Sequence, residues 1–335
     1  MLVEIFAIVL VFLVFLTIWL ISGFRRWKRN LLSDLHMGSS IANTSVGPIE
    51  YALQGEGPVL LPIHGAPGGY DQGLFVMEKW LSKGFSILAC SRPGYLQTPL
   101  TSGETYEAQA DAIAALLDSL DISRVAVFGV SAGGPPALQF ALRYPDRIWA
   151  LVMISAVSER YGAKKSQKSS LLGSVILSDA FMDIGIWMFN VLTEYWPSIS
   201  LKQMFKENLA LQSKEIDDYV ERVTRTPEQV EWYKRFIRTA SPLSPRKVGL
   251  RNDLKRFAQV SMQHLDAIVC PTLVIHGTAD RDVAFSNAEF TAAAIPDAKL
   301  CRLERVGHIV WLGDHVEQMN SELLTFLRAH VPENA

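Results

Sequence analysis

A single hydroxyl group stands between glycines in the stretch GVSAGG at residues 129–134, where an apolar strand-like run meets a helix-like segment. A chain that reverses so sharply has no room for side chains two positions before and after the turn. Glycine is therefore needed at Gly129 and Gly133, and the side chain of Ser131 is held out in the open. The helix N-terminus behind it supplies unpaired N–H groups and partial positive charge. The stretch predicts a nucleophilic serine at a strand end; the alternative is a glycine-rich turn with an incidental serine.

Length and composition narrow the class of protein. The 335 residues carry a net charge of −2 and are 49% hydrophobic, which suits one large α/β domain or two smaller ones. The body has no basic block, so nucleic acid is not an expected partner. The three cysteines are scattered through apolar runs and predict buried free thiols in a reducing compartment. No metal is expected, because the cysteine and histidine spacings typical of metal ligands are absent.

The N-terminus carries the uncharged run IFAIVLVFLVFLTIWLI at residues 5–21, which is long enough to cross a bilayer. The basic stretch RRWKR follows it, and no small-residue cleavage pattern is present, which favours an uncleaved anchor over a signal peptide. Basic residues on this flank predict that the body lies in the cytoplasm. We therefore expect a transmembrane anchor over residues 1–24 and a basic, loosely structured tether over residues 25–46.

Short apolar runs alternate with helical stretches along the rest of the chain. Each run ends in turn residues, as expected for parallel strands buried on both faces, and residues 105–120 have the period of an amphipathic helix. This alternation predicts an α/β fold with a mainly parallel sheet and helices on both faces. The six apolar runs cover residues 58–65, 86–93, 124–131, 150–157, 271–280 and 299–308.

The alternation breaks between residues 158 and 262, where helical signals appear without a convincing strand. We predict a helical cap over residues 158–262, inserted into a core formed by residues 47–157 and 263–335. Aromatic residues of the cap are candidates for an apolar substrate pocket, the alternative being that they pack against the core. These candidates are Trp187, Phe189, Tyr195 and Trp196.

An acid and a base for the serine come from the motifs HGTADRD and VGH, which end two later strands. The order Ser131, Asp280, His308 is the one expected when the serine occupies a strand-to-helix turn. Asp282 competes with Asp280 for the role of acid. Asp280 is preferred because its spacing from Gly277 places it in the turn just beyond the strand.

The stretch HGAPGG at residues 64–69 follows the first strong strand. Its glycines allow the backbone to approach a ligand closely. The N–H groups of Ala66 and Ala132 are therefore the candidate pair of oxyanion donors. His64 is expected to be a structural histidine rather than the base, and Asp71 to be a local cap or turn residue.

Together, these motifs resemble those of the α/β-hydrolase superfamily, in the branch with a helical cap after the sixth strand. The resemblance covers about residues 47–333 and rests on HGAPGG, SRPGY, GVSAGG and the pair HGTAD and VGH, in that order. It implies an eight-stranded sheet and a Ser-His-Asp triad that works without a cofactor. Two positions depart from the pattern. Val130 stands where many relatives carry histidine or aspartate, and Leu96 stands where glycine is common.

We expect a membrane-anchored serine hydrolase, most simply a carboxylic ester hydrolase with an apolar acyl substrate. An aminopeptidase of the proline-iminopeptidase type is an alternative, because HGAPGG is similar to the loop of that group. It would need a carboxylate to bind the substrate amine, for which Glu194, Glu207 and Glu231 are available. A C–C bond hydrolase, a cofactor-free perhydrolase and a ligand-binding sensor on the same fold stay open.

Overall fold

The computed structural model describes residues 2–159 and 179–333 of the chain. Its strands are β1 (Ser40–Thr44), β2 (Gly47–Gln54), β3 (Val59–Ile63), β4 (Ser86–Cys90), β5 (Val125–Val130), β6 (Ile148–Ile154), β7 (Thr272–Gly277) and β8 (Lys299–Leu303). Its helices are α1 (Leu2–Met37), α2 (Tyr70–Met77), α3 (Tyr106–Ser119), α4 (Gly134–Arg143), α5 (Asp179–Tyr195), α6 (Pro197–Asn208), α7 (Ser213–Thr224), α8 (Pro227–Arg238), α9 (Lys247–Phe257), α10 (Ser286–Ala294) and α11 (Val316–His330).

The described strands form one sheet in the order β1-β2-β4-β3-β5-β6-β7-β8. The β1–β2 and β2–β4 pairs are antiparallel, and the other five pairs are parallel. This arrangement confirms the predicted α/β fold with a mainly parallel, eight-stranded sheet. In the centre, Ile63 of β3 lies opposite Gly129 of β5. The loops that follow these two strands therefore leave the same edge of the sheet side by side.

Both faces of the sheet are covered, so the central strands are apolar at every position. In β5, Ala126 and Phe128 belong to the core on one face, together with residues of α2, α11 and the cap. Val125 and Val127 belong to the core on the other face, together with residues of α3, α4 and α10. Each large apolar side chain buried in this way contributes roughly 1.5–3 kcal/mol to folding. The two-sided burial explains why these strands are continuous apolar runs rather than alternating ones.

The N-terminal segment differs from the prediction. The helix does not end after the apolar run but continues to Met37, and residues 40–44 of the predicted tether form strand β1. The continuation is held by the body, since Leu35 packs against the core and its carbonyl oxygen accepts a 2.7 Å hydrogen bond from the hydroxyl of Tyr70. The helix from Val3 to Met37 is long and apolar enough to cross a membrane, a property that signal sequences share.

Helices α5 to α9 lie between β6 and β7, in the segment predicted as the cap, of which residues 160–178 lie outside the described residues. Buried ion pairs join this segment to the core. Arg246 donates to both carboxylate oxygens of Asp71, at 3.0 and 2.8 Å. Asp71 is thus not the local cap that the sequence suggests, because α2 begins without a side-chain cap. Its carboxylate instead binds a guanidinium more than 170 residues further along the chain.

Candidate active site

Ser131 lies at a sharp turn between β5 and α4. Its φ of 49° is in the left-handed region, which few residues other than glycine adopt, and such strain is typical of functional positions. The neighbouring backbones are in close contact. A Cβ added to Gly133 would lie 2.1 Å from the carbonyl oxygen of Ile63, and one added to Gly129 would lie 2.8 Å from the Cβ of Ala137. The glycines are therefore needed for the packing of β3, β5 and α4 around the serine.

Replacing Gly133 with alanine is expected to destabilise the protein by about 1–3 kcal/mol, because the new methyl group meets backbone that cannot move aside. Gly185 in α5 is the matched control, since nothing lies within 4 Å of a Cβ added there. Alanine at Gly185 is expected to stabilise its helix by about 1 kcal/mol. Thermal melting of the full chain in detergent measures both changes. A Gly133→Ala variant that melts at the wild-type temperature would contradict this account of the turn.

The three residues predicted as nucleophile, base and acid lie together in one line of hydrogen bonds. The Nε2 of His308 is 3.0 Å from the Oγ of Ser131, and its Nδ1 is 2.8 Å from the Oδ2 of Asp280. The other carboxylate oxygen of Asp280 accepts from the backbone N–H groups of Asp282 and Val283, at 2.8 and 2.9 Å. This geometry holds the ring so that Nδ1 donates to the acid and Nε2 can accept a proton from the serine.

Opposite charges set the pKa values of this pair. Burial alone would lower the pKa of His308, but the Asp280 carboxylate beside it outweighs burial and raises the value to about 9. Burial alone would raise the pKa of Asp280, but His308 and His276 outweigh it and lower the value to about 2. Asp280 is thus ionised at neutral pH and stabilises a positive charge on His308.

The structure distinguishes the two candidate acids. Asp280 is buried and bonds directly to Nδ1 of His308, whereas Asp282 has a carboxylate oxygen 3.7 Å from Nε2, the other ring nitrogen. Asp282 instead lines the cavity in front of the serine. A carboxylate on that side of the ring cannot hold the tautomer that a base needs.

Two residues that the sequence analysis did not identify make hydrogen bonds to Asp280 and His308. Nε2 of His276 lies 3.1 Å from Oδ2 of Asp280 and 3.0 Å from the carbonyl oxygen of Val283. The hydroxyl of Ser155, at the end of β6, donates to the carbonyl oxygen of His308 at 3.0 Å. Only the spacing of four residues between His276 and Asp280 could have indicated the first contact. Nothing in the sequence around Ser155 indicates the second.

The loop of HGAPGG lies directly against the serine. A Cβ added to Gly65 would be 3.1 Å from the Cβ of Ser131, and Ala66 lines the same cavity. Ala132 lies in the first turn that leads into α4, where backbone N–H groups have no partner within the helix. Both candidate oxyanion donors are therefore next to Ser131.

His64 has backbone partners on both ring nitrogens. Its Nδ1 is 2.7 Å from the carbonyl oxygen of Gly65, and its Nε2 accepts from the N–H of Arg92 at 3.0 Å. Burial and the charge of Arg92 hold its pKa well below the ordinary value, so the ring stays neutral. This is the structural role that the sequence indicates for His64.

A cavity of about 180 Å³ opens in front of Ser131 and His308. Helices α6 and α8 form its outer wall, and residues of α2 and of the loop after β8 form its inner wall. The lining is mostly apolar. Its polar side chains are those of His64, Gln72, Ser131, Ser155, Asn208, Asp282 and His308. No lysine or arginine of the described ranges lines it. The larger apolar side chains are those of Val76, Val130, Met204, Phe236, Ile309 and Trp311.

The aromatic residues predicted to line the pocket do not line this cavity. Trp187 packs edge-on against Phe24 of α1, with ring centroids 5.7 Å apart. Phe189 packs against the core, and Tyr195 and Trp196 are exposed at the end of α5. The cap side of the pocket is formed instead by α6 and α8. Periodicity could not distinguish these faces, because every helix of the cap has an apolar side.

The carboxylates proposed for an amine-binding site also lie elsewhere. Glu194 pairs with Lys234 and Arg238 at 3.0 and 2.8 Å, and Glu207 and Glu231 are exposed. None of the three glutamates lines the cavity.

The cap holds the acid loop through backbone hydrogen bonds. The N–H of Ala210, just after α6, donates to the carbonyl oxygen of Ala279 at 2.9 Å. The N–H of Arg281 donates to the carbonyl oxygen of Asn208 at 3.1 Å. These two hydrogen bonds hold the loop in place on both sides of Asp280.

Comparisons with known proteins agree with this architecture. A family model described as the α/β hydrolase fold matches residues 58–314. The hydrolase YcgS of Bacillus subtilis is 29% identical over 285 residues, which are 84% of this chain and 96% of that protein. The 2-hydroxy-6-oxo-6-phenylhexa-2,4-dienoate hydrolase of Burkholderia cepacia is 26% identical over 286 residues, covering 82% and 88% of the two chains.

Solved structures show the same fold. An α/β hydrolase fold protein from Nakamurella multipartita is 30% identical and superposes with a TM-score of 0.78, over 87% of this chain and 99% of that one. An esterase from Exiguobacterium antarcticum is 17% identical, with a TM-score of 0.59 over 86% and 99% of the two chains. Since the family model spans most of the sequence and the sheet has the matching topology, this chain belongs to the α/β-hydrolase family.

Proposed function

We propose that this chain is a membrane-anchored serine hydrolase that cleaves carboxylic esters with an apolar acyl group. The observation that carries the proposal is the line of hydrogen bonds from Ser131 through His308 to Asp280, which opens into a mostly apolar cavity. A nucleophile, an oriented base and a buried acid are the parts that acyl transfer requires.

Each step of the proposed reaction uses a group described above. The Oγ of Ser131 attacks the ester carbonyl carbon while its proton passes to Nε2 of His308. The carbonyl electron pair moves onto oxygen, where the N–H groups of Ala66 and Ala132 bind the oxyanion; each donor is worth about 2.7–4 kcal/mol. His308 then gives the proton to the leaving alcohol as the C–O bond breaks. Water then attacks the acyl carbon while its proton passes to the same histidine, which returns the proton to Oγ of Ser131 as the bond to the acid breaks.

A C–C bond hydrolase is the second candidate, because relatives such as the Burkholderia cepacia enzyme are named for dienoate substrates. A dienoate carries a carboxylate, which a protein site normally binds with lysine or arginine. The lining contributed by the described residues has neither, and its one carboxylate would repel an anion. An uncharged ester fits these walls better. The aminopeptidase alternative is not supported, because none of the three glutamates lines the cavity.

Initial rates on p-nitrophenyl esters from acetate to palmitate test the proposal, with proline and alanine p-nitroanilides and a dienoate measured in parallel. We expect ester turnover, with butyrate cleaved faster than palmitate because the cavity is small. Turnover of the dienoate without turnover of any ester would reject the esterase. A fluorophosphonate probe that fails to label Ser131 in the folded chain would favour a binding protein instead.

The pH dependence of ester hydrolysis follows from the pKa of His308. A base must be neutral to accept the serine proton, so kcat/KM should rise with pH through that pKa, with a midpoint above the ordinary value of 6.5. Asp282 adds a smaller contribution that raises the pKa, so Asp282→Asn should move the midpoint to lower pH. A wild-type midpoint at or below 6.5 would contradict the assigned environment.

We propose that α1 anchors the chain with the catalytic body in the cytoplasm. Its most apolar window has a mean hydropathy of 3.0, and the exposed Arg25, Arg26 and Arg29 follow it on the side of the body. The full-length chain should stay in the membrane pellet after alkaline extraction. Digestion of the body by protease added outside intact cells would reject the orientation.

A further inference from the structure

Helix α5 carries a stripe of apolar side chains that is exposed on the part of the chain that the structure describes. Ile184, Met188, Val191 and Tyr195 follow one another at intervals of four, three and four residues, which places them on one helix face. Their exposed fractions are 37%, 62%, 36% and 71%. Trp196 extends the stripe, with 56% exposed. A continuous apolar surface of this kind marks an interaction site.

Contacts with α1 show which way α5 points. Phe24 of α1 packs against Trp187, and four residues later Lys28 pairs with the buried carboxylate of Asp183 at 2.6 Å. Residue numbers therefore rise along α1 where they fall along α5, so the two helices are antiparallel where they touch. The C-terminal half of α5 consequently extends from Trp187 towards the apolar half of α1.

The distances place the end of α5 at the level of a membrane surface. At 1.5 Å per residue, Tyr195 lies about 12 Å beyond Trp187 along the helix. Trp187 is level with Phe24, between the end of the apolar run at Ile21 and the basic residues that follow. Ile21 lies about 4.5 Å beyond Phe24 on the same scale, so Tyr195 would lie about 7–8 Å past the end of the apolar run. Tyrosine and tryptophan prefer this boundary between headgroups and acyl chains.

We propose that α5 is a second membrane contact, whose C-terminal end enters the bilayer interface through Met188, Val191 and Tyr195 of the stripe. The inference rests on the proposed anchoring of the chain by α1. A lipid surface is the expected partner because α5 is docked, through Lys28 and Asp183, to the helix that would cross the membrane.

This contact would give the catalytic cavity a fixed place above the bilayer. Helix α6 begins at Pro197, directly after the stripe, and contributes Met204 and Asn208 to the cavity wall. Seven residues of helix separate Pro197 from Met204, about 10 Å. The α6 side of the cavity wall would therefore lie close to the bilayer surface.

Depth measurements with nitroxide labels test the proposal on the full-length chain in vesicles of phosphatidylcholine and phosphatidylglycerol. Met188→Cys and Tyr195→Cys carry the label on the stripe, and Phe12→Cys carries it in the apolar run. Ser119→Cys is the aqueous control, since Ser119 is exposed and ends α3 at the opposite edge of the sheet from the serine. The native cysteines are buried, and the unlabelled wild-type chain checks that they do not react.

We expect labels at residues 12, 188 and 195 to collide more with oxygen than with a water-soluble nickel chelate, and the label at 119 to do the reverse. Aqueous values at 188 and 195, with a deep label at 12, would overturn the second contact while leaving the anchor. An aqueous label at 12 would reject the anchor itself. Low collision with both reagents, or spin broadening that disappears on dilution with unlabelled chain, would assign the stripe to protein contacts and also overturn the proposal.

Discussion

Replacing Ser131 with alanine is expected to lower kcat for ester hydrolysis by about 10⁶-fold, because it removes the hydroxyl that is hydrogen-bonded to Nε2 of His308. Replacing Asp280 with asparagine should lower kcat by about 10⁴-fold. The asparagine keeps the shape of the side chain but removes the charge that holds Nδ1 of His308 protonated. The ring can then turn its N–H towards the serine, where it no longer accepts a proton.

Asp282→Asn is the matched control for Asp280→Asn. Both carboxylates lie within 4 Å of a ring nitrogen of His308, and they are only two residues apart. The loss at Asp282 should stay below about tenfold, since that side chain does not bond to Nδ1 and contributes only a smaller charge interaction. Rates on p-nitrophenyl butyrate give all three values, and thermal melting checks that each variant is folded. Equal losses at the two aspartates would refute the assignment of the acid.

Ser131, Asp280 and His308 could be proposed from the sequence because the position of each depends on local geometry. A strand that turns directly into a helix needs glycine on both sides of the exposed residue, and the chain shows this at Gly129 and Gly133. Asp280 and His308 follow apolar runs that the sheet brings to one edge. Parallel strands place such ends together whatever the rest of the chain does.

The cavity wall could not be predicted, since it depends on how helices of the cap lie over the sheet. Trp187 and Phe189 look equally suited to a pocket by composition, yet one packs on α1 and the other on the core. Met204 and Phe236, which do line the cavity, are separated by 32 positions in sequence and meet only after folding. Strand β1, within the segment predicted as a tether, was missed because it is a short, polar edge strand with little apolar signal.

The motif SRPGY has a role that its sequence does not reveal. Arg92 lies buried and donates to both carboxylate oxygens of Asp253 in α9, at 3.0 and 2.5 Å. The hydroxyl of Tyr95 donates to the same carboxylate at 2.6 Å. This buried cluster joins the core to the cap. Removing the carboxylate of Asp253 would leave the guanidinium of Arg92 buried without an opposite charge.

Asp253→Ala is therefore expected to destabilise the protein by about 3–5 kcal/mol, which lowers the melting temperature by roughly 10 °C. Glu78→Ala is the matched control. Its carboxylate also forms a double hydrogen bond from the core to a cap arginine, Arg235, but both partners are about half exposed, and the expected loss is about 0.2–1 kcal/mol. The double variant Arg92→Met/Asp253→Leu removes both charges and should lose less than Asp253→Ala alone. Thermal melting of the wild type and the three variants in detergent measures these losses. If the double variant is the least stable, the loss of stability comes from lost packing rather than from an unpaired buried charge.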